Sequence, residues 1–153
     1  MDLPLTGTCQ CGSIHYQINE HPIVTLVCHC IDCQKLSAGA FSLTMAVSRP
    51  AFEILRGELK SWQRPTASGG TAICYFCPDC GNRIYHENPE MPEVLRLKPG
   101  TLDDTSFIKP DAHVWTIRAQ PWVVIPSGVP RYETQPEVGK LLHDIAQAKS
   151  RPG

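Results

Sequence analysis

No stretch of this chain is both long and apolar. Ile23-Val24-Thr25-Leu26-Val27, the longest apolar stretch near the N-terminus, is far short of the roughly 20 residues that span a bilayer. Neither sign of charge prevails: 14 Lys and Arg face 15 Asp and Glu, for a net charge of −1. The basic residues are scattered along the sequence, and no basic block marks a nucleic-acid or anionic-membrane footprint. Repeats, low-complexity tracts and an internal linker are all lacking. The 153 residues therefore fit one domain, long enough to bury a core without staples. The opening Met1-Asp2-Leu3-Pro4 carries an acid and a proline where a leader would be basic and apolar. The expectation is a protein without a signal peptide, working in the cytoplasm.

Cysteine, by contrast, is plentiful and clustered. The eight thiols fall in the spacings Cys9-x-Cys11, Cys28-x-Cys30-x-x-Cys33 and Cys74-x-x-Cys77-x-x-Cys80. Such close neighbours are poor disulfide partners for one another, and without a secretory leader clustered cysteines bind metal. Cys28 and Cys30 share a face of an extended strand. Cys30 and Cys33 have the spacing of a tight turn in which two thiolates grip one ion. Three such thiolates leave a zinc tetrahedron one ligand short. A zinc with a vacant position does chemistry, whereas four protein ligands hold structure.

The 14 prolines are spread widely, which argues for strands and against long helices except at the C-terminal end. Ser13–Ile18 alternates apolar and polar residues, and Ile23–Val27 reads as a more buried strand. Gln34–Gly39 reads as one helical turn stopped at Gly39. Ala40–Val47 is rich in strand formers, with Phe41, Leu43 and Met45 on one face. Phe52–Gly57 and Leu59–Trp62 look like the two arms of a hairpin, followed by a loop at Thr66–Gly70. Strands are expected at Thr71–Phe76, Asn82–Glu87, Val94–Leu97 and Val114–Ile117. Val138, Leu141, Leu142 and Ile145 repeat as the stripe of an amphipathic helix over about 136–149. Thr134 and Glu137 would form its capping box, and residues 150–153 would fray.

Cys77-Pro78-Asp79-Cys80-Gly81 is a strong zinc knuckle, because proline sets the turn and glycine accepts the conformation after the second thiolate. Gly12 after Cys11 has the same use. Cys9, Cys11, Cys77 and Cys80 make one closed four-thiolate site, and Cys28, Cys30 and Cys33 make a second. Cys74 is left over. It either completes the second site, giving two closed structural zincs, or stays out of it. Three residues before Cys77 on a strand, it points to the opposite face.

The motifs Gly7-x-Cys9-x-Cys11-Gly12, Cys28-His29-Cys30-x-x-Cys33-Gln34-Lys35-x-Ser37 and Phe76-Cys77-x-x-Cys80-Gly81 carry a resemblance. They resemble the glutathione-dependent formaldehyde-activating enzyme family, which also contains centromere protein V. Gly100-x-Leu102-Asp103-Asp104, Pro110, His113 and Trp122 are similar to its second half, so the match runs over about residues 5–133. The resemblance implies a mainly β, Mss4-like antiparallel fold with one C-terminal helix. It also implies a structural zinc on Cys9, Cys11, Cys77 and Cys80 and a catalytic zinc on Cys28, Cys30 and Cys33, two zinc ions per chain. Ala38 departs from the family, which often has glycine after the serine. Cys74 matches no family ligand position.

The activity implied is that of a carbon–sulfur lyase: a zinc-held thiol, glutathione, joins formaldehyde to give S-hydroxymethylglutathione. A three-thiolate zinc is electron-rich and suits holding soft sulfur better than polarising a carbonyl. Two alternatives stand beside this reading. One is a related carbon–sulfur enzyme with another substrate; the other is a non-catalytic zinc-stabilised protein-binding module. His29, between two ligands, is expected to face away from them, as a supporting or surface residue or as an acid–base group. Asp32 and Ser37 could meet substrate or cap the turn after Cys33. Lys35 could meet a glutathione carboxylate or simply be solvated. Trp62, Trp115, Trp122 and Phe41 are expected in the core. His113 and Asp103 are site candidates through the family pattern alone. No nucleic-acid or membrane partner is expected.

Overall fold

Alternation and β-branched content build short strands throughout, and the prolines leave room for only two helices among the described residues. The computed structural model describes residues 1–150. In chain order the strands and helices are β1 (Leu5–Thr8), β2 (His15–Ile18), β3 (Val24–Cys28), α1 (Ile31–Ser37), β4 (Ser42–Ser48), β5 (Phe52–Arg56), β6 (Lys60–Pro65), β7 (Thr71–Phe76), β8 (Arg83–Glu87), β9 (Val94–Leu97), β10 (Ala112–Val114) and α2 (Val138–Ser150). None of these helices is long and apolar enough to cross a membrane. The chain forms two compact units. The first is built from Met1–Val24 and Thr44–Ile108, the second from Thr25–Leu43 and the chain from Lys109 onward.

In the first unit, β1, β2 and β5 form a small antiparallel sheet. The strands β4, β9, β8, β7 and β6 lie side by side in that order, each antiparallel to the next. Alternation sends Met45, Val47, Leu95, Leu97 and Tyr85 to one face. There they are buried in one cluster with Leu5, Tyr16, Ile18 and Phe52 from the small sheet. Phe52 ties the set together, its ring centroid 5.3 Å from Tyr16 and 5.0 Å from Tyr85. Each fully buried side chain of this size contributes about 1.5–3 kcal/mol. The Tyr16 hydroxyl, carried inside by its ring, is matched by Thr101 Oγ1 at 2.7 Å.

The second unit pairs β10 with β3 in parallel, Ala112 opposite Leu26 and Val114 opposite Cys28. This pairing differs from the antiparallel pairings of the first unit. Asp111 fixes one end of it: its carboxylate accepts from Thr25 N–H at 2.7 Å and meets Lys149 Nζ at 2.7 Å. On α2, Leu141 and Ile145 are buried, while Val138 and Leu142 are about half exposed. The apolar stripe is thus narrower than the expected four-residue repeat.

Four local expectations are corrected. Phe52–Gly57 and Leu59–Trp62 are not a hairpin: β5 pairs with β2 and β6 with β7. Backbone partners, not proximity in sequence, decided that pairing. The strand expected at Val114–Ile117 ends at Val114, because Trp115 adopts φ 59 and Thr116–Arg118 is a 3-10 turn. The capping box fails: Glu137 itself caps α2, its carboxylate accepting from the N–H groups of Gly139 and Lys140, both at 2.9 Å. Thr134 uses its carbonyl to accept from Trp115 N–H. The helical turn after Cys33 is a full helix beginning at Ile31, and Ala38, not Gly39, takes the left-handed stop at φ 49. Ser150 still belongs to α2, and the rest of the expected frayed end, 151–153, lies outside the described residues.

Candidate metal centres

The first cluster comes from two tight turns of the first unit. Cys9 follows β1 and Cys11 stands two residues on, while Cys77 follows β7 and Cys80 precedes β8. Each turn closes by the same device. Gly12 N–H donates to Cys9 O and Gly81 N–H to Cys77 O, both at 2.9 Å. The two glycines adopt φ 78 and φ 73, the left-handed region that a Cβ penalises. Gln10 N–H donates to Asn82 Oδ1 at 3.0 Å and clamps one turn to the other. The four Sγ atoms lie within 4.8 Å of one another. Cys9 and Cys11 are 3.5 Å apart at sulfur, Cys11 and Cys77 3.7 Å. These separations are far too long for a disulfide and close to the edge of about 3.8 Å that a tetrahedral zinc with Zn–S of about 2.3 Å requires.

The electrostatics of this set fit a cation. Ser13, beside Cys11, lowers its thiol to about 6. Burial pushes Cys77 up to about 12, so without a positive charge this set does not ionise together. A dication removes that conflict. Ile14 N–H donates to Cys9 Sγ at 3.2 Å, the kind of backbone bond that stabilises a thiolate ligand.

The second cluster belongs to the second unit. Cys28 ends β3, Cys30 caps α1 and Cys33 is buried on its first turn. Their sulfurs also converge within 4.8 Å. Cys33 N–H donates to Cys30 Sγ at 3.4 Å, so the helix cap is a thiol where Asp32 and Ser37 were the expected candidates. Hydrogen bonds from Cys28 and Cys33, then from nearby backbone N–H groups, hold Cys30 down to about 2, and Cys28 is driven upward by the same pairing. Crowding thus pushes the Cys28 and Cys30 thiols in opposite directions. All three ionise only around a cation. No further His, Cys, Asp or Glu among the described residues joins this group. Cys74 therefore does not complete it. It is buried on β7 between Trp62 and His86 in the strand register.

His29, between two of these thiols, is fully buried and faces the protein. Its N–H donates to Val114 O at 3.0 Å, and its Nε2 lies 3.0 Å from His113 Nδ1, the two rings stacked 5.3 Å apart. Phe41 meets it edge-on at 5.6 Å. Burial lowers both imidazoles, so one proton is shared between two neutral rings. Gln34 completes the support: its Nε2 donates to His29 O at 2.7 Å and Arg118 O at 2.8 Å, and its Oε1 accepts from Gln120 at 2.9 Å. Ser37 holds the far end of α1, its Oγ 2.9 Å from Cys33 O and 2.7 Å from Phe41 O.

Of the other candidates, Lys35 is exposed, and Asp103 accepts from Thr6 Oγ1 at 2.7 Å within the first unit. Two of the three tryptophans lie outside the expected core, Trp62 44 % and Trp122 71 % exposed, while Trp115 is half-buried. Gln34 and Gln120 went unread as a pair because they are 86 residues apart and an amide has no spacing signature.

A family model described as glutathione-dependent formaldehyde-activating enzyme matches residues 4–118. No curated protein matches the chain. A crystal structure of a Rhodobacter sphaeroides protein shares 20 % identity at a TM-score of 0.53, the match covering 69 % of this chain and 92 % of that one. At such identity the likeness shows the fold alone. The family match spans most of the chain and includes every thiol of both clusters, so this chain belongs to the glutathione-dependent formaldehyde-activating enzyme family.

Proposed function

We propose that this chain is a zinc-dependent carbon–sulfur enzyme that joins glutathione to formaldehyde, with a structural zinc on Cys9, Cys11, Cys77 and Cys80 and a catalytic zinc on Cys28, Cys30 and Cys33. The observation that carries the reading is the contrast between the two clusters: four thiols in one, three in the other, within a family named for this reaction. Zinc bound at the three-thiol cluster supplies the positive charge that keeps an incoming thiol ionised at neutral pH.

The protein's part is to hold three sulfurs so that a fourth can meet them. His29 is fixed at its N–H by Val114, at its ring by His113 and at its carbonyl by Gln34. That residue is the link between Cys28 and Cys30, so its three bonds set the distance between their sulfurs. Gln34 and Ser37 do the same for Cys33 through the backbone of α1. Such preorganisation lets binding convert a bimolecular encounter into a positioned one. The chain acts as one zinc-binding domain of the cytoplasm, with small-molecule partners and no nucleic acid or membrane.

The test is the rate of S-hydroxymethylglutathione formation, followed by magnetisation-exchange NMR with zinc-loaded protein. The wild type should exceed the uncatalysed rate, and Cys30→Ser should fall to it. A folded, fully zinc-loaded wild type that adds nothing to the background rate would sink the reading. Acceleration with another thiol only would move it to a related carbon–sulfur enzyme.

A further inference from the structure

The strand register of the first unit gathers cations that lie far apart in sequence. Trp62, Cys74, His86, Arg96 and Ala46 stand directly opposite one another across β6, β7, β8, β9 and β4. Side chains two residues along a strand share a face. Lys60 and Arg64 therefore flank Trp62, and Lys98 flanks Arg96. Arg83 joins them from β8, its guanidinium carbon 5.5 Å from the Trp62 ring centroid and 5.2 Å from that of Phe76. Five of the chain's 14 basic side chains thus meet on one sheet face.

Three polar atoms of this face are buried without a hydrogen-bond partner: His86 Nε2, Arg83 Nη1 and Arg96 Nη1. His86 itself is only 5 % exposed. Buried guanidinium N–H groups without acceptors are costly and rare. The polar neighbours do not relieve them. Arg96 Nη2 reaches only the weak acceptor Met91 Sδ, at 3.7 Å. Lys98 Nζ donates to Thr44 Oγ1 at 3.1 Å. Of the acids, Glu93 bears on Arg96, while Glu87 is taken by Arg49 and Tyr75. Burial, with Lys98, Arg64, Arg83 and Arg96 close by, holds the His86 imidazole down to about 2. Cations thus surround a place where three buried nitrogens have no hydrogen-bond partner.

We propose that this face binds a small oxyanion, a carboxylate or phosphate group, between Arg83, His86 and Arg96. An oxyanion presents several acceptor oxygens at once, so it can take both orphaned guanidinium N–H groups and an Nε2–H of His86, and arginine forks suit it geometrically. Its three residues, all of the first unit, belong to neither cysteine cluster.

The probes are sodium phosphate and sodium succinate, titrated into the zinc-loaded full chain at constant ionic strength set by sodium chloride. The expected result is a saturable rise in melting temperature with at least one of them, together with movement of the His86 imidazole signals in 15N-resolved NMR. Phosphate alone acting would assign a phosphate group, and succinate alone a carboxylate. Arg96→Gln should weaken the apparent affinity at least tenfold. Arg83→Gln, on a half-buried side chain, serves the same purpose should the first variant fold poorly, and Cys30→Ser should leave the effect intact. If neither salt does more than sodium chloride, if the His86 signals stay still, or if a folded arginine variant binds as well as wild type, the proposal is wrong.

Discussion

Ala38 holds a backbone conformation that its Cβ disfavours. At φ 49 it ends α1, its N–H reaching Lys35 O and Gln34 O. A left-handed alanine costs about 1–2 kcal/mol, and glycine gives back part of that gain in unfolded-state entropy. Ala38→Gly should therefore stabilise the protein by about 0.5–1 kcal/mol in urea unfolding, and a loss of stability would refute the strain argument. His86 makes a second residue-level case. Its imidazole is held down to about 2 from an ordinary 6.5, so the unfolded chain takes up the proton first. Stability should fall as pH drops below about 6.5, and continue falling toward the folded-state value. Metal loss also acts in acid, so the readout is the difference between wild type and His86→Gln, whose stability should decline less steeply from about pH 6 to pH 4.

Among the elements, the paired turns after β1 and after β7 join segments 66 residues apart. A structural zinc in such a site supplies an apparent 10–16 kcal/mol, roughly the whole stability of a domain of about 5–15 kcal/mol. Cys77→Ser should accordingly give insoluble or molten protein, while Cys30→Ser folds and keeps one zinc. Equal loss of near-ultraviolet circular dichroism in both would mean that the two clusters have the same role. At the other end of the chain, Glu137 rather than Thr134 starts α2, and its carboxyl is held low by the N–H groups of Gly139 and Lys140. Glu137→Ala should speed hydrogen exchange of those two amides and leave β4 to β9 unchanged.

At the scale of the whole molecule, the proposed zinc count is two. Protein purified without added metal should carry two zinc ions by elemental analysis, and Cys30→Ser one. A folded, metal-free, oxidised protein would end the zinc reading. Zinc-edge X-ray absorption adds a second measure. The average should rise from about three and a half sulfurs per zinc toward four when glutathione is added. No rise in wild type would leave the cluster as a scaffold for protein binding.

Much of this protein is local in origin and could be read from residues near one another. Cys-x-x-Cys and Cys-x-Cys spacings bring sulfurs together through one turn of backbone, so the second cluster and each half of the first were legible, as were the strands whose alternation spans four or more residues. What lay beyond reach depends on partners chosen across long sequence distances. Strand pairing broke the expected β5–β6 hairpin, because the backbone of each arm found a different neighbour. The same pairing turned cations that look scattered along the sequence into a row beside His86, and it seated Cys74 between Trp62 and His86. It also brought His113 to His29, 84 residues apart, a meeting that no local periodicity encodes. Local spacing determines which side chains can share a ligand; only the tertiary register decides which of them are buried without a partner, and those are the ones left to bind something else.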